Sequence, residues 1–166
     1  MSKSLNVGYT DTAHDPAFNV SKTLAPLNFT ADFAVKSVNA GECIVVNMTS
    51  PSDRPEKIRF GFQEVQDVYK GSGIDPAYYG NSRKGVSIVV QLTETQRVIE
   101  STDATYAVDL PISCHLVIKV PNHELITASV VETVLLRLFS SLYGEGLSTT
   151  TRINALLHGS MTPPEL

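Results

Sequence analysis

The hydrophobic period of this chain changes once, at Pro121. Upstream, apolar residues alternate with polar ones; downstream, they recur at three and four. Strict alternation fits a half-buried strand and the longer period fits an amphipathic helix. Phe29, Ala31, Phe33 and Val35 share one parity, and Cys43 to Met48 is almost entirely apolar. Asn39, Ala40, Gly41 and Glu42 between them form a turn, so the two runs read as a hairpin. Lys57 to Val65 sets Ile58, Phe60 and Phe62 against Lys57, Arg59 and Gln63. Val86 to Glu100 sets Val86, Ile88, Val90 and Leu92 against Ser87, Gln91, Thr93, Thr95 and Arg97, with Val89 an exception. Thr105 to Leu110 is a short strand before Pro111. Ile112 to Val120 sets Ile112, Cys114, Leu116, Ile118 and Val120 against Ser113, His115 and Lys119, with Val117 an exception. Beyond Pro121, Val130, Val134, Leu135, Leu138 and Leu142 mark a helix over Leu125 to Tyr143, stopped by Gly144 and Gly146. Thr149 to Thr151 offer caps for a second helix, Arg152 to Leu157, closed by Gly159 and Pro163. Strands first and helices last is an α+β order, with an antiparallel sheet covered on one face.

The 166 residues and 18.0 kDa fit a single domain spanning residues 1–166. Residues 1–29 read as a loosely structured segment, broken by Asp11, Asp15, Pro16 and Pro26. A hairpin region at 30–55, a main sheet at 56–120 and two helices at 121–159 follow. Residues 71–85, rich in glycine and carrying Tyr78 and Tyr79, read as a long exposed loop. The formal net charge of −4 argues against a uniformly basic surface but leaves room for a local basic face. No apolar run is long enough to span a bilayer, and the N-terminus has no apolar core of a secretory signal.

No catalytic arrangement stands out. His14, His115, His123 and His158 lie far apart, and none falls in a metal-binding spacing. Cys114 and His115 are neighbours on a strand and point to opposite faces, which separates a thiol from its base. Cys43 and Cys114 give neither metal spacing nor a disulfide framework; a single bridge between them stays open. The expectation is a non-enzymatic protein with no cofactor and no metal.

The informative feature is the outward parity of the strands. Lys57, Arg59, Gln63, Ser87, Gln91, Thr93, Arg97, His115 and Lys119 carry no acidic residue among them; Glu64, Glu94 and Glu100 fall on the other parity or at strand ends. Two readings stand: a plain solvated face, or a surface that reads RNA, with cations on phosphates and Gln, Ser and Thr on bases or ribose. The first helix raises a second question. It is apolar over more than one stripe, including Val131, Leu135, Leu138, Phe139 and Leu142. Either the chain's own N-terminal segment and second helix bury the excess, or each helix lies over a partner's sheet in an intertwined homodimer.

Residues 85–97, the run LPISCHLVIKVP at 110–121, the helix at 128–142, the glycine-rich break and Arg152 to Gly159 resemble the coat proteins of small single-stranded RNA bacteriophages. The resemblance runs from about Lys57 to His158, and more weakly from Thr30. It implies an N-terminal hairpin packed on an antiparallel sheet, two C-terminal helices, and an intertwined dimer with a continuous ten-stranded sheet. Dimers would build an icosahedral shell, commonly T=3, around the single-stranded genome. The sheet would face inward, bind genomic RNA and bind an operator hairpin as translational repressor. The outward strand residues above would then be RNA-binding, and Val131, Leu135, Leu138, Phe139 and Leu142 would line the dimer interface. Implied partners are a second copy, the RNA and a maturation protein, with no membrane; the location is the virion, assembled in bacterial cytoplasm. The chain is longer than many such proteins. The competing class is an enzyme or ligand-binding α+β domain with a pocket between sheet and helix.

Overall fold

The computed structural model describes residues 27–99, 107–142 and 152–160. They fall into two units, one within residues 25–123 and one that takes up the chain from Glu124. The expectations for residues 1–26, for the turn at 101–104 and for the caps at Thr149 to Thr151 lie outside the described residues.

The first unit is a meander of five antiparallel strands in sequential order: β1 (Phe33–Asn39), β2 (Glu42–Asn47), β3 (Lys57–Val65), β4 (Gly85–Ile99) and β5 (Ala107–Pro121). A short helix, α1 (Phe29–Asp32), leads into it, with the Asn28 side chain accepting a hydrogen bond from the Ala31 amide. The expected hairpin exists as β1 and β2, but it is not a separate layer. β2 also pairs with β3 over Glu42 to Val46, so the hairpin forms the first two strands of the same sheet. The physical reason lies in β2, whose run of unpaired ladder groups would be orphaned if it did not continue pairing.

Gly41 closes the β1–β2 turn at φ 80°, and the Phe62 amide donates to the Gly41 carbonyl at 2.7 Å. A Cβ on Gly41 would stand 2.7 Å from the Phe62 oxygen, so both the backbone angle and the close approach of β3 require glycine.

A second correction concerns Pro111. The sequence suggests a break between a short strand and Ile112 to Val120, yet β5 runs through it for 15 residues in unbroken register with β4, from Gly85 opposite Pro121 to Ile99 opposite Ala107. The Asn122 amide donates to the Lys84 carbonyl at 2.9 Å. Alternation from there points even-numbered β5 amides at β4 and odd-numbered ones away from it. Pro111 and Pro121 therefore sit where the β4–β5 ladder needs no donor.

Cys43 on β2 and Cys114 on β5 are both free. Three strand spacings separate their strands, about 14 Å, well beyond the reach of a disulfide within one chain.

One sheet face carries Val45, Ile58, Phe60, Ile88, Val90, Leu92, Leu116 and Ile118. Val45 and Ile58 are its buried centre, at 8% and 4% exposure, and Phe29 of α1 meets Phe33 and Phe60 in tilted contacts with ring centroids 4.9 and 6.1 Å away. The same face is exposed at Phe62 of β3, Val98 of β4, and Val108, Leu110 and Ile112 of β5.

The second unit holds α2 (Ala128–Ser140) and α3 (Ile153–Leu157). Thr127 stays extended as the N-cap, so α2 starts three residues later than the periodicity suggests. The Arg152 guanidinium donates to the Ser141 carbonyl at 2.6 Å, and the Arg152 amide to the Leu142 carbonyl at 2.8 Å, tying α3 to the C-terminal end of α2. Val134, Leu136, Leu138 and Phe139 on α2 are exposed, while Val131, Leu135 and Leu142 are half-buried.

Candidate functional site

The ladder registers fix which side chains share the other sheet face. Lys57 lies opposite Thr93, which lies opposite Ser113; Arg59, Gln91 and His115 form the next polar row; Gln63, Ser87 and Lys119 form a third. Arg97 sits farther along β4, opposite Asp109. All nine outward residues singled out in the sequence therefore fall on one face, across three adjacent strands. The two exceptions in the alternation pair with each other: Val89 lies between Gly61 and Val117 and forms an apolar row across the polar face.

Acidic residues join this face, contrary to the expectation that it has none. Glu42 on β2 accepts from Arg59 Nε at 2.8 Å and stands 2.7 Å from its second nitrogen, Nη2. Asp109 takes a two-pronged contact from Arg97, at 2.6 Å from Nε and 2.7 Å from Nη2. Asp53, in the loop between β2 and β3, accepts from the same Nη2 at 2.9 Å. The hydrogen bonds from Arg97 hold the Asp109 carboxyl below the usual carboxylate range, and those contacts hold the Arg97 guanidinium above its own. Arg59 and Arg97 are thus ion-paired, whereas Lys57 and Lys119 have no ion partner among the described residues. The free positive charge of the face comes from its two lysines.

Neutral polar groups fill the space between. Arg59 reaches Gln91 Oε1 at 3.5 Å, Gln91 reaches the Thr93 hydroxyl at 3.5 Å, and the Ser113 hydroxyl lies 2.7 Å from His115 Nε2. Gln91 and Thr93 are half-buried by these neighbours, and His115 is exposed. The face therefore presents cations at its margins and amide, hydroxyl and imidazole groups between them. That set can meet phosphates with charge and base edges with hydrogen bonds. Among the described residues no three His, Cys, Asp or Glu side chains converge as metal ligands.

The loop between β3 and β4 is more ordered than its glycines suggest. Tyr69 and Tyr79 stack with centroids 4.2 Å apart, Arg83 lies 5.2 Å over the Tyr79 ring, and the Gly80 amide donates to the Tyr69 hydroxyl at 2.8 Å. Asp75 caps a turn over Pro76–Tyr78, leaving Tyr78 81% exposed at the tip. The pattern of aromatic residues at 69, 78 and 79 was the available signal, though nothing in it fixes which two stack.

Comparison with solved structures gives a consistent set. The virus-like particle of bacteriophage AVE015 is 31% identical, with 99% of this chain and 100% of that chain covered at a TM-score of 0.87. The virus-like particle of bacteriophage GQ-112 is 16% identical over 96% and 98% of the two chains, with a TM-score of 0.76, and shares the fold. The fold extends to the virus-like particle of bacteriophage PQ-465, at 13% identity, 81% and 94% coverage and a TM-score of 0.51. No protein-family model and no curated protein matches the chain.

Proposed function

The chain belongs to the family of bacteriophage coat proteins, and from that premise we propose that it is a structural, non-enzymatic subunit that dimerises, closes an icosahedral shell and packages a single-stranded RNA genome inside it. The observation that carries the RNA reading is the single polar face holding Lys57, Lys119, Gln63, Ser87, Gln91, Thr93 and His115, with Arg59 and Arg97 already committed to carboxylates. Its polar middle suits an RNA hairpin whose unpaired bases reach amide and hydroxyl groups, so the same face serves as operator site for translational repression.

Dimerisation is supported by surface that one chain leaves open. The sheet exposes Phe62, Leu110 and Ile112 on its apolar face, and α2 exposes Val134, Leu136, Leu138 and Phe139. Exposed large apolar side chains in such number call for a partner. A second copy supplies it by laying its helices over this sheet, with Val131, Leu135 and Leu142 completing the contact.

The two sheet edges differ in a way that selects how the copies join. β1 is 7 residues long, its register slips between Val35 and Ser37, and Lys36 sits at the slip. A short, bulged, lysine-bearing edge discourages further pairing. β5 is 15 residues long with no slip. Two copies joined along β5 give a continuous sheet of ten strands. A T=3 shell, a maturation protein and assembly in bacterial cytoplasm complete the reading. The test is expression of the chain alone, followed by electron microscopy and nucleic-acid extraction. Hollow closed particles containing RNA support it; soluble subunits under every condition tried overturn it.

A further inference from the structure

The two prolines of β5 specify the register in which two copies join. This inference rests on the edge-to-edge dimer proposed above. Because even-numbered amides of β5 face β4, the free edge is formed by the odd-numbered residues. Along that edge Pro111 and Pro121 have no N–H to give. The uninterrupted run of complete donor-acceptor pairs between them is Ser113, His115, Val117 and Lys119. An antiparallel two-fold pairing maps this run onto itself end to end in one register.

We infer that β5 pairs with its copy about a two-fold axis at Leu116. Ser113 then lies opposite the partner's Lys119, His115 opposite the partner's Val117, and Pro111 opposite the partner's Pro121. The two prolines close each end of the ladder together, and every pair between them exchanges both hydrogen bonds.

The neighbouring registers each carry a defect. Centring on His115 sets two imidazoles directly opposite and moves Pro111 inside the ladder against Lys119. Centring on Val117 sets His115 against Lys119 and moves Pro121 inside the ladder against Ser113. Centring on Cys114 moves Pro111 against Val117. A shift of odd step sets each odd-numbered residue against an even-numbered one, whose N–H and C=O face β4, and so leaves the ladder without partners.

The register has consequences on both faces. On the polar face the two Lys119 side chains stand about 20 Å apart along the strands, with both His115 rings between them. On the apolar face Leu116 meets itself, Cys114 meets Ile118 and Ile112 meets Val120. Native Cys114 is thus four residues out of step with its copy and forms no bridge across the axis.

The test is a panel of single cysteines at 114, 115, 116, 117 and 118 in full-length protein lacking Cys43, with Cys114→Ser in all but the first. Assembled material is oxidised and run without reductant. Leu116 faces its copy in a non-hydrogen-bonded pair, where the Cα separation suits a disulfide. Leu116→Cys is expected to run mostly as a covalent dimer, and the other four mostly as single chains. Dominant cross-linking by His115→Cys, Val117→Cys or native Cys114 overturns the register while leaving the edge-to-edge dimer standing. No cross-link at any position, in material of dimer mass or larger, overturns the register and the β5 edge together.

Discussion

Arg97 and Asp109 face each other across the β4–β5 ladder, with Nε 2.6 Å from Oδ1 and Nη2 2.7 Å from Oδ2. The pair also receives Asp53 from the loop after β2, 2.9 Å from the same Nη2. One guanidinium thereby fastens the far end of the sheet to a loop more than forty residues away in sequence. The Asp109 carboxyl is held below its ordinary value of 3.8, mainly by its hydrogen bonds to Arg97. A depressed carboxyl contributes stability that is present above the ordinary value and disappears as pH falls through the lowered one. In Arg97→Gln, the carbon-13 titration midpoint of Asp109 should rise toward the ordinary value. The stability difference between native and variant protein should vanish in strong acid and be full near neutral pH. An unmoved midpoint contradicts this.

The fold of β3, β4 and the last part of β5 is legible in the sequence because one face is apolar and the other polar, which fixes parity. The break expected at Pro111 failed because a proline interrupts a strand only where its nitrogen must donate; here it faces the free edge. The acidic partners of the polar face escaped a strand-by-strand reading. Glu42 reaches Arg59 only because β2 continues into the sheet, and Asp53 reaches Arg97 from a loop. Parity identifies a face, but not the charges that neighbouring strands and loops deliver to it.

Charge on the polar face should divide by pairing. Lys57→Ala and Lys119→Ala should each weaken binding to any single-stranded RNA and lower the slope of log affinity against log salt by roughly 0.7 per contact. Arg59→Ala should do less, since Glu42 already neutralises it. Glu42→Gln should free Arg59 and strengthen binding. Filter binding over a salt series measures all four; equal losses for Lys57→Ala and Arg59→Ala contradict the division.

Gln91→Ala and Thr93→Ala test specificity on the same face. Each should narrow the preference for a cognate hairpin over a scrambled one while leaving the salt slope unchanged. If preference stays and the slope falls, these residues act through charge organisation and do not touch bases.

Stability of the sheet should depend on its few enclosed positions. Ile58→Ala, at 4% exposure, should cost about 2–4 kcal/mol. Gly41→Ala should cost about 1–3 kcal/mol, because a left-handed backbone and a carbonyl at close range both oppose a Cβ. Denaturant melts read both, and a Gly41→Ala variant as stable as the native chain contradicts the turn geometry.

Leu138 is 55% exposed in the isolated chain. In the proposed dimer it is buried, so Leu138→Glu should remove soluble dimer, while Glu132→Gln on the same helix should leave it unchanged. Soluble Leu138→Glu protein of dimer mass, seen by analytical ultracentrifugation, contradicts helix exchange.

The most direct test of the coat-protein account is native mass measurement of the purified, nuclease-treated protein, with ultraviolet absorbance ratios taken on the same sample. Closed particles should appear whose protein mass is a whole number of dimers of the 18.0 kDa chain, each holding protected RNA. On mild acid dissociation they should fall to dimers and not to monomers. A folded, stable monomer at micromolar concentration, with no particle and no nucleic acid, contradicts it.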